Sequence, residues 1–401
     1  MFFFFNFEFP NSGAEVLKGN RGEWAEVYIF LKLLVDGRVF AADKNMQKIA
    51  ERYLKIFKIF REEIAGHKFE YVPGELIKII HNGETVSGGM PVLALSKCKD
   101  RIWALIKGCN GGLISDKETQ SFLNQMFVTK LKSPSVGNDS FGGTKDIVME
   151  VQDYTTGIDS IVGFSCKSDF SGPATLFNAS KDNTNFRFKV TGPMTDAIAD
   201  QFNSLFDVRG EKKVVATARR MRFLKDRHCE LTFDKAVGAI ANRNLIMAGG
   251  REIVLLVAEM LRHYYYDGEG AYSYSSMSKL VKWLSDNDTA SFGGDDTESM
   301  YRYKVSHLLY AMFTGMRLGS VWNGRSSVNG GYIIVRGDGD VLAYHTCIAD
   351  EFMDFLVQRL ALEQPSHARH LSMSISKEND GGYYLKLPLQ IRFRGMKSSD
   401  E

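Results

Sequence analysis

An aspartate and a lysine, Asp146 and Lys167, stand at the two ends of a stretch that has the pattern of a β-hairpin. Residues 146–151 and 161–167 are mainly apolar, and the segment 153–157 between them is typical of a turn because it ends in glycine. Pairing about this turn places Asp146 directly opposite Lys167. A carboxylate can hold a hard divalent cation, and a neighbouring lysine can orient or deprotonate an attacking water. The pattern therefore predicts a site for metal-dependent hydrolysis of a phosphodiester.

Strand side chains alternate between two faces, so Ser165 shares a face with Lys167 and Cys166 turns into the packing layer. The same two charges also fit a surface ion pair between strands, which contributes only about a few tenths of a kcal/mol. The residue pattern alone is compatible with both interpretations.

Composition limits the class of protein. A chain of 401 residues predicts two or three domains, and 44% hydrophobic with 24% charged residues is typical of a soluble globular protein. The 50 basic and 48 acidic residues give a net charge of +2, so any field that attracts nucleic acid must come from local clusters. The five cysteines include no CxxC pair, which indicates reduced thiols in a cytoplasmic protein and no zinc site.

Periodicity and turn residues predict the order of elements. The apolar run Phe2–Phe5 is too short for a membrane span and is predicted to be a strand or an intersubunit tail. Helices are expected at 23–34, 92–107, 117–128, 194–206, 212–226, 250–265, 276–285, 297–316 and 349–362. Strands are expected at 39–42, 53–60, 69–72, 76–86 through an Asn-Gly turn, 185–190, 331–335, 341–345 and 384–393, with a loop at 133–144.

Three blocks of sequence carry a resemblance. They are Gly19-Asn-Arg-Gly-Glu-Trp-Ala-Glu-Val-Tyr28, then Lys145-Asp146 with Gly163-Phe-Ser-Cys-Lys-Ser168, then Gly330-Gly-Tyr-Ile-Ile-Val335 with Pro365-Ser-His-Ala-Arg-His370. With these blocks in this order, the chain resembles the HpaII-type type II restriction endonucleases. The resemblance implies an α+β or α/β fold with the PD-(D/E)xK nuclease core, a mixed sheet flanked by helices.

The resemblance also implies three regions. Residues 1–208 would be the nuclease core with the N-terminal helix and the catalytic hairpin. Residues 209–320 would be a mainly helical DNA-binding insertion, and residues 321–401 a C-terminal mixed α/β segment with a candidate base-reading strand.

Catalytic roles follow from the same resemblance. Asp146 would bind the metal, and Lys167 would position the hydrolytic water and stabilise the charge on phosphorus. Ser165 stands where the family pattern usually has a second acid, and a hydroxyl is a poor ligand for Mg²⁺. Either one metal ion suffices, or another acid is recruited to the site.

Glu23, on the first predicted helix, is the candidate for this recruited acid and second metal ligand. Glu26 is its neighbour on one helix face, since residues three apart lie side by side. Both glutamates also fit a solvated helix edge. Glu150 is four residues from Asp146, about 13 Å along the strand, which is too far to share an ion.

Candidate DNA contacts lie outside this core. Arg219, Arg220 and Arg222 on a basic helix would clamp phosphates, or would be a solvated face. Lys386, Gln390 and Arg392 share one face of the last predicted strand and, with Arg369 and His370, would read bases; an exposed sheet face explains the same alternation. Asn178 would contact a phosphate or form a turn.

The predicted function is Mg²⁺-dependent, site-specific hydrolysis of both strands of double-stranded DNA, with no membrane and no nucleotide cofactor. The symmetry of a palindrome favours a homodimer, and the alternatives are one chain that acts twice or a second chain that joins only at the cut. The resemblance implies CCGG as the palindromic target and 5′ phosphates on the products. Two alternatives stay open: a structure-specific repair or junction nuclease of the same fold, and a non-catalytic DNA-binding protein whose site has decayed at Ser165.

Overall fold

The structure, a computed structural model, describes residues 16–43, 45–64, 67–132, 145–168, 175–205, 211–326, 329–345, 349–370 and 372–394. The chain forms two compact units, residues 16–168 with 326–352 and residues 175–325 with 353–394. These units interleave along the sequence, so the expected linear division into three regions does not coincide with them. The expected N-terminal strand or tail, the loop 133–144 and Cys347 lie outside the described residues.

The helices are α1 (Arg21–Asp36), α2 (Val92–Gly108), α3 (Lys117–Gln125), α4 (Asp196–Ser204), α5 (Lys213–Lys225), α6 (Ala239–Gly249), α7 (Arg251–Arg262), α8 (Met277–Asp286), α9 (Thr297–Phe313), α10 (Ala349–Arg359) and α11 (His367–His370). Short turns of 3₁₀ or π-helix occupy Lys181–Thr184, His263–Asp267 and Tyr272–Tyr274.

The strands are β1 (Arg38–Ala42), β2 (Lys48–Ile64), β3 (His67–Val72), β4 (Leu76–His81), β5 (Glu84–Pro91), β6 (Ile147–Asp153), β7 (Asp159–Ser168), β8 (Thr175–Phe177), β9 (Asn185–Thr191), β10 (Glu230–Ala236), β11 (Gly331–Val335), β12 (Val341–His345), β13 (Leu360–Leu362), β14 (Ile375–Lys377), β15 (Tyr383–Pro388) and β16 (Ile391–Phe393).

The first unit is built on a nine-stranded sheet in the order β1-β12-β11-β7-β6-β2-β3-β4-β5. Strand β1 also pairs with β2, so six strands, β1, β12, β11, β7, β6 and β2, close into a barrel. Closure is possible because β2 is 17 residues long and its register shifts between Ile56 and Lys58, which bends it. The expected mixture of helices and a mixed sheet is confirmed, the closed barrel was not predicted, and the PD-(D/E)xK assignment stays a prediction.

Helix α1 has strong signals at both ends. The Asn20 side chain accepts hydrogen bonds from the backbone N–H of Gly22 (2.8 Å) and Glu23 (3.1 Å), while the Glu23 carboxylate accepts from the Asn20 N–H (2.9 Å). This reciprocal capping box satisfies N–H groups that have no partner inside the helix. At the other end Gly37, at φ 62°, donates its N–H to the Leu33 carbonyl (2.9 Å). The predicted first helix is therefore confirmed and its direction is fixed.

The predicted hairpin of β6 and β7 forms, but its register differs from the expectation. Ile147 pairs with Phe164, which places Asp146 across from Ser165 and two positions away from Lys167. An offset of two residues keeps every side chain on the predicted face of the sheet. Lys167 is therefore a diagonal neighbour of Asp146, and the predicted direct pairing is wrong.

The turn explains the offset. The Asp153 side chain accepts hydrogen bonds from the N–H of Thr155 and Thr156, both at 2.8 Å, and the Asp153 N–H bonds to the Ile158 carbonyl (3.0 Å). Gly157 adopts φ 70° to complete the reversal. Because the aspartate side chain organises the turn, the strands pivot one residue earlier than the glycine alone predicts.

A buried ion pair lies on β2 beside this hairpin. Arg61 and Glu63 are only 2% and 0% exposed, and Arg61 Nε donates to Glu63 Oε1 (2.6 Å). Arg61 Nη2 donates to the Lys130 carbonyl (2.7 Å), and Glu63 Oε2 accepts from the N–H of Thr129 (2.9 Å) and Lys130 (3.0 Å). The pair is thus satisfied at both ends, and it ties residues 129–130 to the sheet.

The second unit contains an antiparallel sheet, β10-β9-β15-β14, a smaller one, β13-β16-β8, and most of the helices. The predicted strand 384–393 is wrong as a single element, because β15 and β16 belong to different sheets. Pro388 ends β15 since it has no N–H, and the Leu389 N–H donates to the Thr184 carbonyl (2.8 Å). Strand β10 and helix α6 were not predicted.

Two further expectations concern composition. Cys98, Cys166 and Cys229 are buried free thiols, as predicted. Among the described residues, no helix is long and apolar enough to cross a membrane.

We expect Arg61→Met to destabilise the protein by about 3–5 kcal/mol, because it leaves the Glu63 carboxylate buried without its cation. The measurement is the urea concentration at the midpoint of unfolding, followed by circular dichroism. The control is Lys58→Met on the same strand as Arg61, which removes partly exposed ion pairs with Glu70 (3.0 Å) and Glu150 (3.7 Å) and should cost no more than about 1 kcal/mol. Equal effects of the two substitutions would contradict the prediction.

Candidate active site

Asp146 is held in place from two sides. Its backbone N–H donates to the Phe164 carbonyl (2.9 Å), which fixes the residue at the start of β6. Its Oδ2 accepts the Ser165 hydroxyl (2.9 Å) and the Cys166 N–H (2.7 Å), both from β7. Among the described residues, Oδ1 receives no hydrogen bond. One oxygen therefore orients the carboxylate, and the other is available to a ligand.

Lys167 extends from the same strand two residues after Ser165. Its Nζ lies 5.8 Å from the ring centroid of Tyr332, which is the β11 neighbour of Ser165 in the parallel register. In the part of the chain that the structure describes, the Lys167 ammonium forms no ion pair. A cation held against an aromatic face and not neutralised by an acid can act on a charged substrate.

Glu26 brings a second carboxylate from α1. Burial, followed by the negative charge of Asp146, raises the pKa of Glu26 from 4.5 to about 7, and the charges of Lys132, Lys167 and Arg61 oppose that shift. Glu26 therefore shares its electrostatic environment with both predicted catalytic residues. A divalent cation bound between two carboxylates in a partly buried site would relieve their electrostatic repulsion.

Glu23, the predicted second metal ligand, has other partners. Its Oε2 closes the capping box with the Asn20 N–H (2.9 Å), and its Oε1 lies 3.5 Å from Nζ of Lys132. Its role at a metal stays a prediction, but these contacts favour Glu26. The sequence contained a signal for this outcome, since Asn20-x-x-Glu23 has the spacing of a capping box.

The donor set is small. Among the described residues, no group of three or more His, Cys, Asp or Glu side chains is placed to hold a metal ion. Asp146 and Glu26 nevertheless provide the hard carboxylate oxygens that Mg²⁺ prefers, and Mg²⁺ in proteins usually keeps several water ligands and binds substrate phosphates. The chemistry of these two carboxylates therefore suits Mg²⁺.

The side chain of Lys145 packs closely against Gly163. A Cβ at this position would lie 2.2 Å from Cδ of Lys145, so a larger residue would displace that side chain. The Gly163 N–H donates to Oδ1 of Asn329 (2.8 Å), and its carbonyl accepts from the Gly330 N–H (2.9 Å). Burial lowers the pKa of Lys145. Sequence reasoning named Lys145 only as part of the block that carries the family resemblance, and it did not identify Asn329 or Lys132 as neighbours of the site.

Two of the three predicted arginines of the basic helix, Arg219 and Arg222, have acidic partners within the second unit. Arg219 forms two hydrogen bonds with the Glu211 carboxylate (2.8 and 3.1 Å), and Arg222 Nε donates to Glu269 (2.8 Å). Arg220 is buried, at 4% exposure. This favours a structural role for Arg219 and Arg220, and the predicted phosphate contacts of all three stay predictions.

The remaining candidates for DNA contact, Asn178 and the C-terminal residues, separate into exposed and buried side chains. Arg369 and Asn178 are exposed, and His370 is partly buried. Lys386 forms an ion pair with Asp182 (2.9 Å). Gln390 is 7% exposed and donates a hydrogen bond to the Glu363 carboxylate, which also forms an ion pair with Arg392 (2.5 Å). The predicted single polar face containing Lys386, Gln390 and Arg392 does not exist, because the strand is split.

An acid and a lysine on adjacent strands, with a second acid from helix α1, have the chemistry of a phosphodiester hydrolase. The profile of the HpaII restriction endonuclease family matches residues 20–393. The type II restriction enzyme HpaII of Haemophilus parainfluenzae is 30% identical over 385 residues, which cover 95% of this chain and 99% of that enzyme. No solved structure matches the chain. The chain belongs to the HpaII restriction endonuclease family and is a type II site-specific deoxyribonuclease.

The raised pKa of Glu26 predicts a pH-dependent stability in metal-free protein. Between about pH 4.5 and 7 the folded state binds this proton more tightly than the unfolded chain does, so the stabilisation present below pH 4.5 is lost as pH rises through 7. Glu26→Gln removes the penalty, which is at most about 3 kcal/mol. In EDTA, the thermal unfolding midpoint of the variant should exceed that of the wild type more at pH 8 than at pH 5.

The control for this comparison is Glu75→Gln, which changes an exposed glutamate of the same unit and should shift both midpoints equally. A Glu26→Gln difference that is the same at both pH values would show that the carboxyl is not destabilised by its surroundings.

Proposed function

We propose that this enzyme hydrolyses both strands of a short palindromic DNA duplex with Mg²⁺ as cofactor, and that the target is CCGG, as the family resemblance implies. The observation that carries the proposal is the convergence of three charged groups. Asp146 is oriented by two hydrogen bonds from β7, Lys167 follows on that strand, and Glu26 adds a carboxylate from α1.

Asp146 and Glu26 are the residues that would hold Mg²⁺, with Glu26 in place of the predicted Glu23. When bound, the ion would polarise the scissile phosphate and make a coordinated water more acidic. Ser165 uses its hydroxyl to donate to Asp146 (2.9 Å), so it orients a metal ligand and does not itself supply the missing acid. Support for this assignment comes from the partners of Glu23, which hold that side chain at the start of α1.

Lys167 acts on the substrate. Its ammonium can donate hydrogen bonds to a non-bridging phosphate oxygen and to the attacking water, which aligns the water and stabilises the negative charge that develops on phosphorus. The water oxygen forms the new bond to phosphorus as the bond to O3′ breaks. The products are a 3′ hydroxyl and a 5′ phosphate.

Cleavage of both strands also suggests the assembly. A palindrome has two-fold symmetry, and a two-fold homodimer would present one active site to each strand in the same way. We therefore propose a homodimer on double-stranded DNA. The basic test of the whole proposal is to digest DNA of known sequence with Mg²⁺ and to map the ends.

Asp146→Asn and Lys167→Ala should each reduce the cleavage rate by at least about 100-fold, because each removes a group that acts on the transition state. Duplex binding, measured by fluorescence anisotropy in EDTA, should stay within a few-fold of the wild type. Full cleavage activity of either variant would refute this assignment of the site.

The two helical glutamates form a matched pair. Glu26→Gln should abolish cleavage at all Mg²⁺ concentrations or raise the concentration needed for half-maximal rate by at least about tenfold, because it removes a charged ligand. Glu23→Gln keeps an oxygen that can accept the Asn20 N–H, so it should change the thermal midpoint little and leave the Mg²⁺ dependence unchanged. The reverse pattern would restore Glu23 as the recruited acid.

A further inference from the structure

We propose that residues 178–184, here called the frame loop, form with Arg369 and Lys213 a surface of the second unit that contacts the DNA duplex and selects its sequence. The inference rests on the proposed function, because it takes duplex DNA as the substrate. The surface has two roles in this inference. Its cations bind phosphates, and the amide of Asn178 reads a base edge.

The frame loop brings together two parts of the sequence that are far apart. The Ala179 N–H donates to Oε1 of Gln390 (3.3 Å), and the Lys181 N–H donates to Nδ1 of His370 (3.3 Å). The Asn185 amide, just after the loop, donates to the His370 carbonyl (3.0 Å). Candidate contacts from the middle and from the end of the chain therefore lie on one surface.

Hydrogen bonds hold the loop in one conformation. The Ser180 N–H donates to Oγ1 of Thr184 (2.7 Å), and the Asn183 N–H donates to the Ser180 carbonyl (3.0 Å). Lys181 adopts φ 44°, a left-handed conformation that costs a residue other than glycine about 1 kcal/mol or more. A loop kept in a strained conformation by its surroundings is organised before binding, so little ordering entropy is lost when DNA binds.

The one acid of the frame loop, Asp182, pairs with Lys386 (2.9 Å), and the other charged groups close to His370 are cations. The groups whose charges act on His370 are Arg369, Lys181 and Lys213, and with burial they lower its pKa. Neutral His370 is the form that accepts the Lys181 N–H, so these cations also favour the observed loop structure. Among the described residues none of these three cations forms an ion pair, so together they make a field that attracts phosphates.

The exposed side chains have the chemistry needed for reading DNA. Lys181, Lys213 and Arg369 are exposed cations, which suit phosphate oxygens. Asn178 is exposed at the start of the loop, and its amide offers a donor and an acceptor, the pair that matches adenine and that also distinguishes other base edges.

Gln390 and Arg392, which the sequence predicted to read bases, have a different role in this inference. Gln390 is buried between the Ala179 N–H and the Glu363 carboxylate, and Arg392 pairs with that same carboxylate. Both are positioning residues that support the frame loop. Their effect on recognition would pass through the loop, since a buried Gln390 side chain cannot reach a base.

The test of the phosphate contacts measures binding of a fluorescent duplex by the full-length protein in EDTA at several salt concentrations. Lys181→Asn, Lys213→Ala and Arg369→Ala should each weaken binding and reduce the slope of log affinity against log salt by about 0.9. Asparagine is chosen at Lys181 because it tolerates the left-handed backbone. The control is Lys282→Ala, an exposed lysine of the same unit, which should change neither quantity.

The test of base reading uses the cleavage site mapped for the wild type. Asn178→Ala should lower the ratio of kcat/KM for that site to kcat/KM for a site with one base pair changed, by about 5- to 150-fold. Thr184→Val, which removes the acceptor of the Ser180 N–H, should lower the same ratio, and Thr184→Ser should restore it.

The outcomes separate this inference from the proposed function. If the three cation variants match Lys282→Ala in affinity and salt dependence, and Asn178→Ala keeps the wild-type ratio, the frame loop is not the DNA-contact surface. If the wild type cuts no defined site, the proposed function fails, and the binding measurements still decide the phosphate contacts.

Discussion

The carboxylate of Asp146 is the point on which the geometry of the proposed active site depends. Its Oδ2 receives one hydrogen bond from a side chain and one from a backbone N–H of the neighbouring strand. These bonds can form only in the observed register of β6 and β7, so the pairing of two strands and the orientation of one acid are the same constraint. The side chain of Lys167 then projects from the next position on the same face, and no separate device is needed to place it.

The second acid depends on how a helix begins. The capping box at Asn20 and Glu23 sets where α1 starts, and the buried face of α1 sets its rotation against the sheet. Glu26 follows three residues after Glu23 and enters the partly dry region near Asp146. Two glutamates of one sequence block therefore have separate roles. Glu23 caps the first turn of α1, and Glu26 lies close to the charged groups of the site. Burial is what separates them, because the same carboxyl in water would have an ordinary pKa.

Sequence reasoning predicted the hairpin, the first helix and the face that Ser165 and Lys167 share, because these depend on local periodicity and caps. It placed Asp146 opposite the wrong partner, since the side chain of Asp153 shapes the turn and a glycine-based rule does not include it. Closure of the barrel could not be predicted, because pairing of β1 with β12 joins residues about three hundred positions apart in sequence. Burial of Gln390 could not be predicted either, because it depends on contacts between distant parts of the sequence. Alternation predicts which residues share a face of a strand, and only tertiary packing shows whether that face is exposed to solvent.

The closed barrel has a dynamic consequence for the hairpin. Strand β7 is bonded to β11 on one side and to β6 on the other, and β6 is bonded in turn to β2. Neither β6 nor β7 is an edge strand at which loss of strand pairing could begin, whereas β5 is at the edge of the sheet. Amide protons of β6 and β7 would therefore exchange with solvent only in the largest opening events of the first unit, so Asp146 and Lys167 keep their spacing while outer strands fluctuate.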